Sequence, residues 1–137
     1  MVNITIMSPD LKESAAKPDR KIALPTKNGY RFVSLSEIIR IEGDSNYSWF
    51  HMVNRNKLII SKCLGEFEKM LRNEAFFRTH KKHIVNLKFL ASFERGRLST
   101  VVLSDNHQVP LSYHRREQFL ELIKTRIIFH GKGNQNL

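Results

Sequence analysis

Between Lys21 and Leu111 the apolar residues recur mostly at a spacing of two, in short runs, and turn-forming residues interrupt nearly every run. A period of two is the signature of a strand with one face toward a core, and runs this short favour antiparallel pairing through tight connections. "KIAL" is the first strand and is expected to stop near Pro25. Asn28–Gly29 is a hairpin signal. "YRFVSL" follows, with Tyr30, Phe32 or Val33, and Leu35 as its apolar set. "SEIIRIEG" sets Ile39 and Ile41 against Arg40 and Glu42. After a turn over Asp44–Asn46, "YSWFHMV" is rich in aromatic and β-favouring residues, and "KLIIS" is a further strand. "FFRTH", "HIVN", "FLASFE" and "LSTVVLSD" continue the pattern. "QVPLS" reads as an edge strand, because Pro110 cannot donate to a ladder.

Two segments break the period. "SKCLGEFEKMLRN" places Leu64, Phe67 and Leu71 at helical spacing with Met70 beside them, although Gly65 weakens the helix by roughly 1 kcal/mol relative to alanine. "YHRREQFLELIKTR" carries an apolar stripe of Phe119, Leu120 and Ile123, with Ser112 placed to cap it. Strands do not alternate with helices, so a doubly wound parallel sheet is excluded in favour of a mainly β, antiparallel domain over residues 21–125. Residues 1–20 and 126–137 read as polar tails.

The chain of 137 residues carries 23 basic and 13 acidic side chains, a net charge of +10, with enough apolar residues (41%) for a real core. A folded domain this basic points to a polyanion, most often nucleic acid. Cys63 is the only cysteine, which fits a reducing, cytoplasmic compartment, and is expected to be buried at the start of the first helix. The N-terminal stretch has neither the apolar run of a membrane span nor the layout of a signal peptide, so no membrane insertion is expected.

Catalysis finds no support in the motifs. His80 and His83 are three apart, but no further ligands at metal-site spacing accompany them, so no metal is expected. A glycine-rich phosphate loop, G-x-S-x-G and H-E-x-x-H are all missing, and no cofactor is implied. The acidic pairs Glu66 with Glu68 and Glu117 with Glu121 read as ordinary solvated helix positions.

The cations are more informative. "RTHKKH" crowds Arg78, His80, Lys81, Lys82 and His83 into one segment. Lysines on a strand edge can serve to block aggregation, which accounts for one of them better than for the pair. His114, Arg115 and Arg116 fall where the last helix begins. The helix dipole disfavours cations there by a few tenths of a kcal/mol each, a conflict that a docked phosphate would reverse. Asn46 and Tyr47 in "GDSNYSW" can contact base and backbone, or can simply form a turn.

In order and spacing, three stretches resemble the LytTR DNA-binding domain of bacterial transcription regulators: "IIRIEGDSNYSWFHM", "CLGEFEKMLRNEAFFRTHKKHIVNLKFL" and "VVLSDNHQVPLSYHRREQFLELI". The matching positions are Glu42, Asn46, Tyr47, Leu64, Glu66, Phe77, Arg78, His80, Ile84, Val85, Asn86 and Ser112. The resemblance implies about ten short strands in three small antiparallel sheets with two short helices. It implies binding of duplex DNA through loops, by Asn46 and Tyr47, then His80, Lys81 and Lys82, then His114, Arg115 and Arg116. It also implies homodimers on paired sites. Here Lys81–Lys82 replaces the family's usual Arg-Ser or Asn-Ser, and Tyr113 and His114 precede the arginines. Lys82 is therefore expected on phosphate, with Lys81 or Arg115 reading bases. A phospho-accepting receiver domain, common in such response regulators, would not fit in the residues before Lys21, so the chain reads as a stand-alone regulator or a fragment. A sensor kinase or membrane partner is not identified by the sequence. The rival readings are an RNA-binding module using Tyr47, Trp49 and Phe50, and a protein-interaction domain that has lost DNA binding.

Overall fold

A computed structural model of the chain describes residues 18–127. Among these residues ten strands form three antiparallel sheets, accompanied by two α-helices. The sheets are a hairpin, a central five-stranded sheet and a three-stranded sheet.

The hairpin pairs β1 (Lys21–Thr26) with β2 (Gly29–Ser34). Its connection is Lys27–Asn28, one residue earlier than the Asn-Gly signal suggests, and Gly29 opens the return strand at φ 155°, a value that suits glycine. Pro25 does not end β1; it pairs with Tyr30. Each strand of a two-stranded sheet has a free edge, where a residue without an N–H leaves the ladder intact. Of the candidate apolar set, Val33 is buried with Ile22 and Leu24, whereas Tyr30 and Phe32 are 68% and 67% exposed.

The central sheet runs in the order β5–β4–β3–β7–β6. Its members are β3 (Ile38–Asp44), β4 (Tyr47–Met52), β5 (Lys57–Ile60), β6 (Phe76–His80) and β7 (His83–Asn86). The third sheet sets β9 (Ser99–Leu103) between β8 (Leu90–Glu94) and β10 (Gln108–Leu111), so Pro110 does lie on an edge strand. Helix α1 (Leu64–Met70) follows β5, and α2 (Arg116–Arg126) ends the described fold.

The central sheet separates two apolar cores. One contains Ile38, Ile41, Phe50 and Ile84 of the sheet with Leu64 and Phe67 of α1 and Ile22, Leu24 and Val33 of the hairpin. The other contains Ile39, Phe77 and Val85 with Val101, Leu103 and Val109 of the three-stranded sheet and Phe119 and Ile123 of α2. Covering on both faces explains why "IIRI" does not simply alternate. An irregularity between Ile38 and Arg40 shifts the register, so Ile38 and Ile41 share one core while Ile39 serves the other. Arg40, expected on a polar face, is only 6% exposed.

Helix α1 buries Leu64 and Phe67, and Leu71 packs just beyond its end, but Met70 is 51% exposed. Cys63 is exposed at the N-cap position rather than buried. It precedes the first turn of the helix, and the buried positions begin with Leu64. The tail expected over residues 1–20 lies outside the described residues up to position 17. Beyond it, Asp19 accepts from the Ser36 N–H (3.2 Å) and hydroxyl (2.7 Å), and Arg20 pairs with Glu74, so these two are attached to the fold. The expected C-terminal tail lies outside the described residues from position 128.

Candidate nucleic-acid interface

Strand pairing brings two of the three predicted clusters to one end of the central sheet. In the β3–β7 ladder Glu42 pairs with His83, so the end of β3 lies beside the start of β7. The β3–β4 turn, Ser45–Asn46, and the β6–β7 turn, Lys81–Lys82, therefore leave the sheet on the same side. The Gly43 N–H donates to the Lys82 carbonyl at 2.8 Å and joins them directly. Asn46, Lys81 and Lys82 are exposed, and Tyr47 is 47% exposed. Ser45 has a φ of 58°, a left-handed conformation that costs a serine about 1 kcal/mol.

The third cluster reaches the same place through β6. The Ser112 N–H donates to the Thr79 carbonyl (2.8 Å), and Arg115 Nη1 to the Arg78 carbonyl (3.2 Å). The segment is not laid out as the sequence suggests. Tyr113–Arg115 form a 3-10 turn, α2 starts at Arg116, and the Ser112 hydroxyl makes no capping bond. Its backbone is drawn to β6 instead. His114 and Tyr113 are exposed, the latter at 80%, and the Arg116 guanidinium lies 5.5 Å from the Tyr113 ring centroid. Such a stack holds a cation beside an aromatic face at the surface.

Within "RTHKKH" the side chains divide sharply. Arg78 is largely buried and acts on its own loop. Its Nη2 donates to the Lys81 carbonyl (2.6 Å), its Nε to the His80 carbonyl (3.3 Å) and its Nη1 to Glu68 of α1 (2.8 Å). His80 Nδ1 accepts the Lys82 N–H at 3.2 Å, which leaves the ring proton on Nε2. Burial, and then the charges of Lys81, Arg115, Lys82 and Arg78, lower the His80 pKa, so it is a neutral member of the cluster at pH 7. Lys81 and Lys82 are the side chains left projecting.

Beneath this surface lies a polar network that local sequence could not reveal. Arg40 Nη1 donates to Glu42 (3.3 Å), and its Nη2 lies 3.5 Å from the Nδ1 atoms of both His51 and His107. His51 Nε2 lies 3.1 Å from Glu42. Burial lowers all three histidines of this region, His51, His107 and His83, the last to about 4. For Glu42, burial pulls upward, but the His51 hydrogen bond and the Arg40 charge outweigh it, and the carboxyl titrates below its usual range. Phe50, a candidate for base stacking, is fully buried edge-on against Phe67, with ring centroids 4.8 Å apart. Among the described residues no helix is long and apolar enough to cross a membrane.

Residues 28–124 match the family model of the LytTr DNA-binding domain. Two curated relatives, the heme-containing CO-sensing transcriptional regulators RcoM 1 and RcoM 2 of Paraburkholderia xenovorans, are 30% and 28% identical over 116 residues. Each match covers 80% of this chain and 43% of the relative, so the chain spans less than half the length of those proteins. A solved LytTr DNA-binding domain from Bacillus cereus superposes with a TM-score of 0.64 at 20% identity, covering 77% of this chain and 98% of that one. It is a likeness of fold.

Proposed function

The chain belongs to the LytTR family of DNA-binding domains, and from that premise we propose that it regulates bacterial transcription by recognising particular duplex sequences through one loop-built face. The observation that carries the proposal is the joining of the two turns. Gly43 ties the Asn46 turn to the Lys81–Lys82 turn, while Ser112 and Arg115 tie the start of α2 to the same strand. Three segments far apart in sequence thus present exposed cations and polar side chains together.

Lys82 holds backbone phosphate as a mobile point charge, and Lys81 reads base edges beside it. Asn46 pairs with a base and Tyr47 touches sugar or phosphate. His80 donates from Nε2 without a formal charge. His114 and Arg116 lie against a neighbouring stretch of backbone, and Arg115 adds its charge to the same face. The recognition unit is residues 21–125, it works by binding rather than by catalysis, and two copies occupy paired half-sites in the cytoplasm. The net charge of +10 favours a polyanion over a protein partner. Burial of Phe50 takes one ring from the stacking platform that the RNA reading needs.

A duplex selected from a random pool, a scrambled duplex and a single-stranded RNA, titrated over a salt series, test the proposal. The selected duplex should bind tightest, with affinity falling steeply as salt rises. Lys82→Ala should weaken binding to both duplexes alike and reduce the salt slope by about 1. Lys81→Ala should cost about 1–3 kcal/mol on the selected duplex and relax preference at one position. Equal binding of selected and scrambled duplexes, or a preference for the RNA, would refute this reading.

A further inference from the structure

We infer that Glu68 is a positioning residue for DNA recognition, its carboxylate clamping the Arg78 and Arg115 side chains that shape the Lys81–Lys82 turn and the start of α2. The inference rests on the proposed DNA-binding face and adds to it a residue of the opposite charge.

The geometry is specific. One Glu68 oxygen accepts from Arg78 Nη1 at 2.8 Å, and the other lies 3.8 Å from Arg115 Nη1. With Nη1 held, the Arg78 fork is oriented so that Nη2 and Nε reach the Lys81 and His80 carbonyls. Arg115 Nη1, drawn to the same acid, donates to the carbonyl of Arg78 itself. A single carboxylate therefore sits behind the backbone of the lysine turn and behind the 3-10 turn that precedes α2. Arg78 and Arg115 are turned inward: their side chains are 18% and 29% exposed, whereas Lys81 and Lys82 are open to solvent. Arg115 accordingly belongs to the frame, and the base-reading assignment left between it and Lys81 falls to Lys81.

Two physical effects pull in opposite directions at Glu68, which makes the inference sharp. Its side chain is 44% exposed, so as a charge it repels a nearby polyanion. Were that its whole effect, removing it would tighten binding to every duplex equally. As a clamp, its removal frees the Arg78 fork and lets the turn sample other shapes, which harms recognition that depends on aligned side chains and spares simple charge attraction.

The test compares Glu68→Ala and Arg78→Lys with the unmodified chain on the selected and scrambled duplexes. Backbone amide exchange at Lys81 and Lys82 and the thermal midpoint are recorded alongside. Alanine suits the helix at position 68. Lysine at 78 keeps the charge but gathers its N–H groups on one nitrogen, so it cannot reach Glu68 and the His80 and Lys81 carbonyls together, and it probes the clamp if the first variant proves unstable. Both variants should lose roughly tenfold on the selected duplex, about the discrimination of one base contact. Glu68→Ala should bind the scrambled duplex as well as before or better, and both variants should exchange faster at Lys81 and Lys82. Equal tightening on both duplexes, or unchanged exchange in the two variants, would overturn the clamp. If the unmodified chain prefers no duplex, the DNA reading fails, while faster exchange in the variants still supports the clamp.

Discussion

Single side chains with several partners set the geometry of this domain, and Asn86 illustrates how. It is 3% exposed at the end of β7, and its amide nitrogen donates to the carbonyls of Ile38 (2.8 Å) and Leu35 (3.2 Å). Its Oδ1 accepts the Lys88 N–H at 2.9 Å, which starts the short 3-10 turn that follows. These bonds join β7 to the segment entering β3, the same pair of strands whose opposite ends carry the two turns of the candidate face. Asn86→Ala leaves buried carbonyls and an N–H without a partner, and should cost about 2–4 kcal/mol in urea unfolding. Asn86→Asp is the informative control, because a carboxylate facing two carbonyls cannot donate to them. An aspartate variant as stable as the parent would show that these donations do not matter. His80 is a similar case: the residue that looks like a cation in the sequence serves the backbone of its own turn as a neutral acceptor.

At the scale of elements, Gly43 of β3 lies against Leu64, the first residue of α1. A β-carbon there would meet Cβ and Cδ2 of Leu64 at 3.3 Å, so the strand and helix approach as closely as they do because the side chain is missing. Gly43→Ala should therefore force Leu64 aside and cost about 1–3 kcal/mol in stability. Alanine keeps the backbone N–H that donates to Lys82, but a strand displaced by the new methyl would misplace that bond, so the variant should weaken binding of the selected duplex at temperatures where it remains folded. An alanine that neither lowers the melting midpoint nor weakens that binding would show that the contact relaxes freely. The elements themselves were largely legible beforehand. Ten strands, two helices, an antiparallel plan and an edge position for Pro110 follow from period and turn chemistry alone. What escaped depends on tertiary context. Covering of the central sheet on both faces buried Arg40 and divided "IIRI" between two cores. The pull of β6 on the Ser112 backbone replaced the expected cap with a 3-10 turn. Lys81, Lys82, Asn46 and Tyr47 could be singled out from charge pattern and family motif because they are local features. Glu68 could not, because its partners lie ten and more residues away across a helix–strand contact.

For the whole molecule, the two cores meet through the central sheet, and the polar network around Arg40 lies where the β9–β10 turn approaches β3. His107 comes from that turn, His51 from β4 and His83 from β7, and the acids facing them are Glu42 and Asp105. Each of these histidines is disfavoured as a cation, first by burial, with the fixed positive charge of Arg40 adding to it. The sign of the linkage follows. Folded values lie below the ordinary value of 6.5, so the unfolded chain binds protons more readily. Stability is complete above pH 6.5 and is lost as the pH falls toward about 4, where His83 titrates in the folded protein. Each proton that a histidine takes up on unfolding steepens the loss by at most about 1.4 kcal/mol per pH unit, and solvent screening at these partly exposed rings keeps the realised loss smaller. Urea midpoints measured from pH 7.5 to 4.5 should therefore decline most steeply below pH 6.5. His83→Gln, which keeps polarity but cannot titrate, should flatten the decline without moving the salt slope of DNA binding at pH 7.5. Should the decline keep its slope in His83→Gln, and again when His51 and His107 are replaced in the same way, the acid sensitivity would have to come from carboxylates held below their usual range, such as Glu42 and Asp19, and not from the buried histidines.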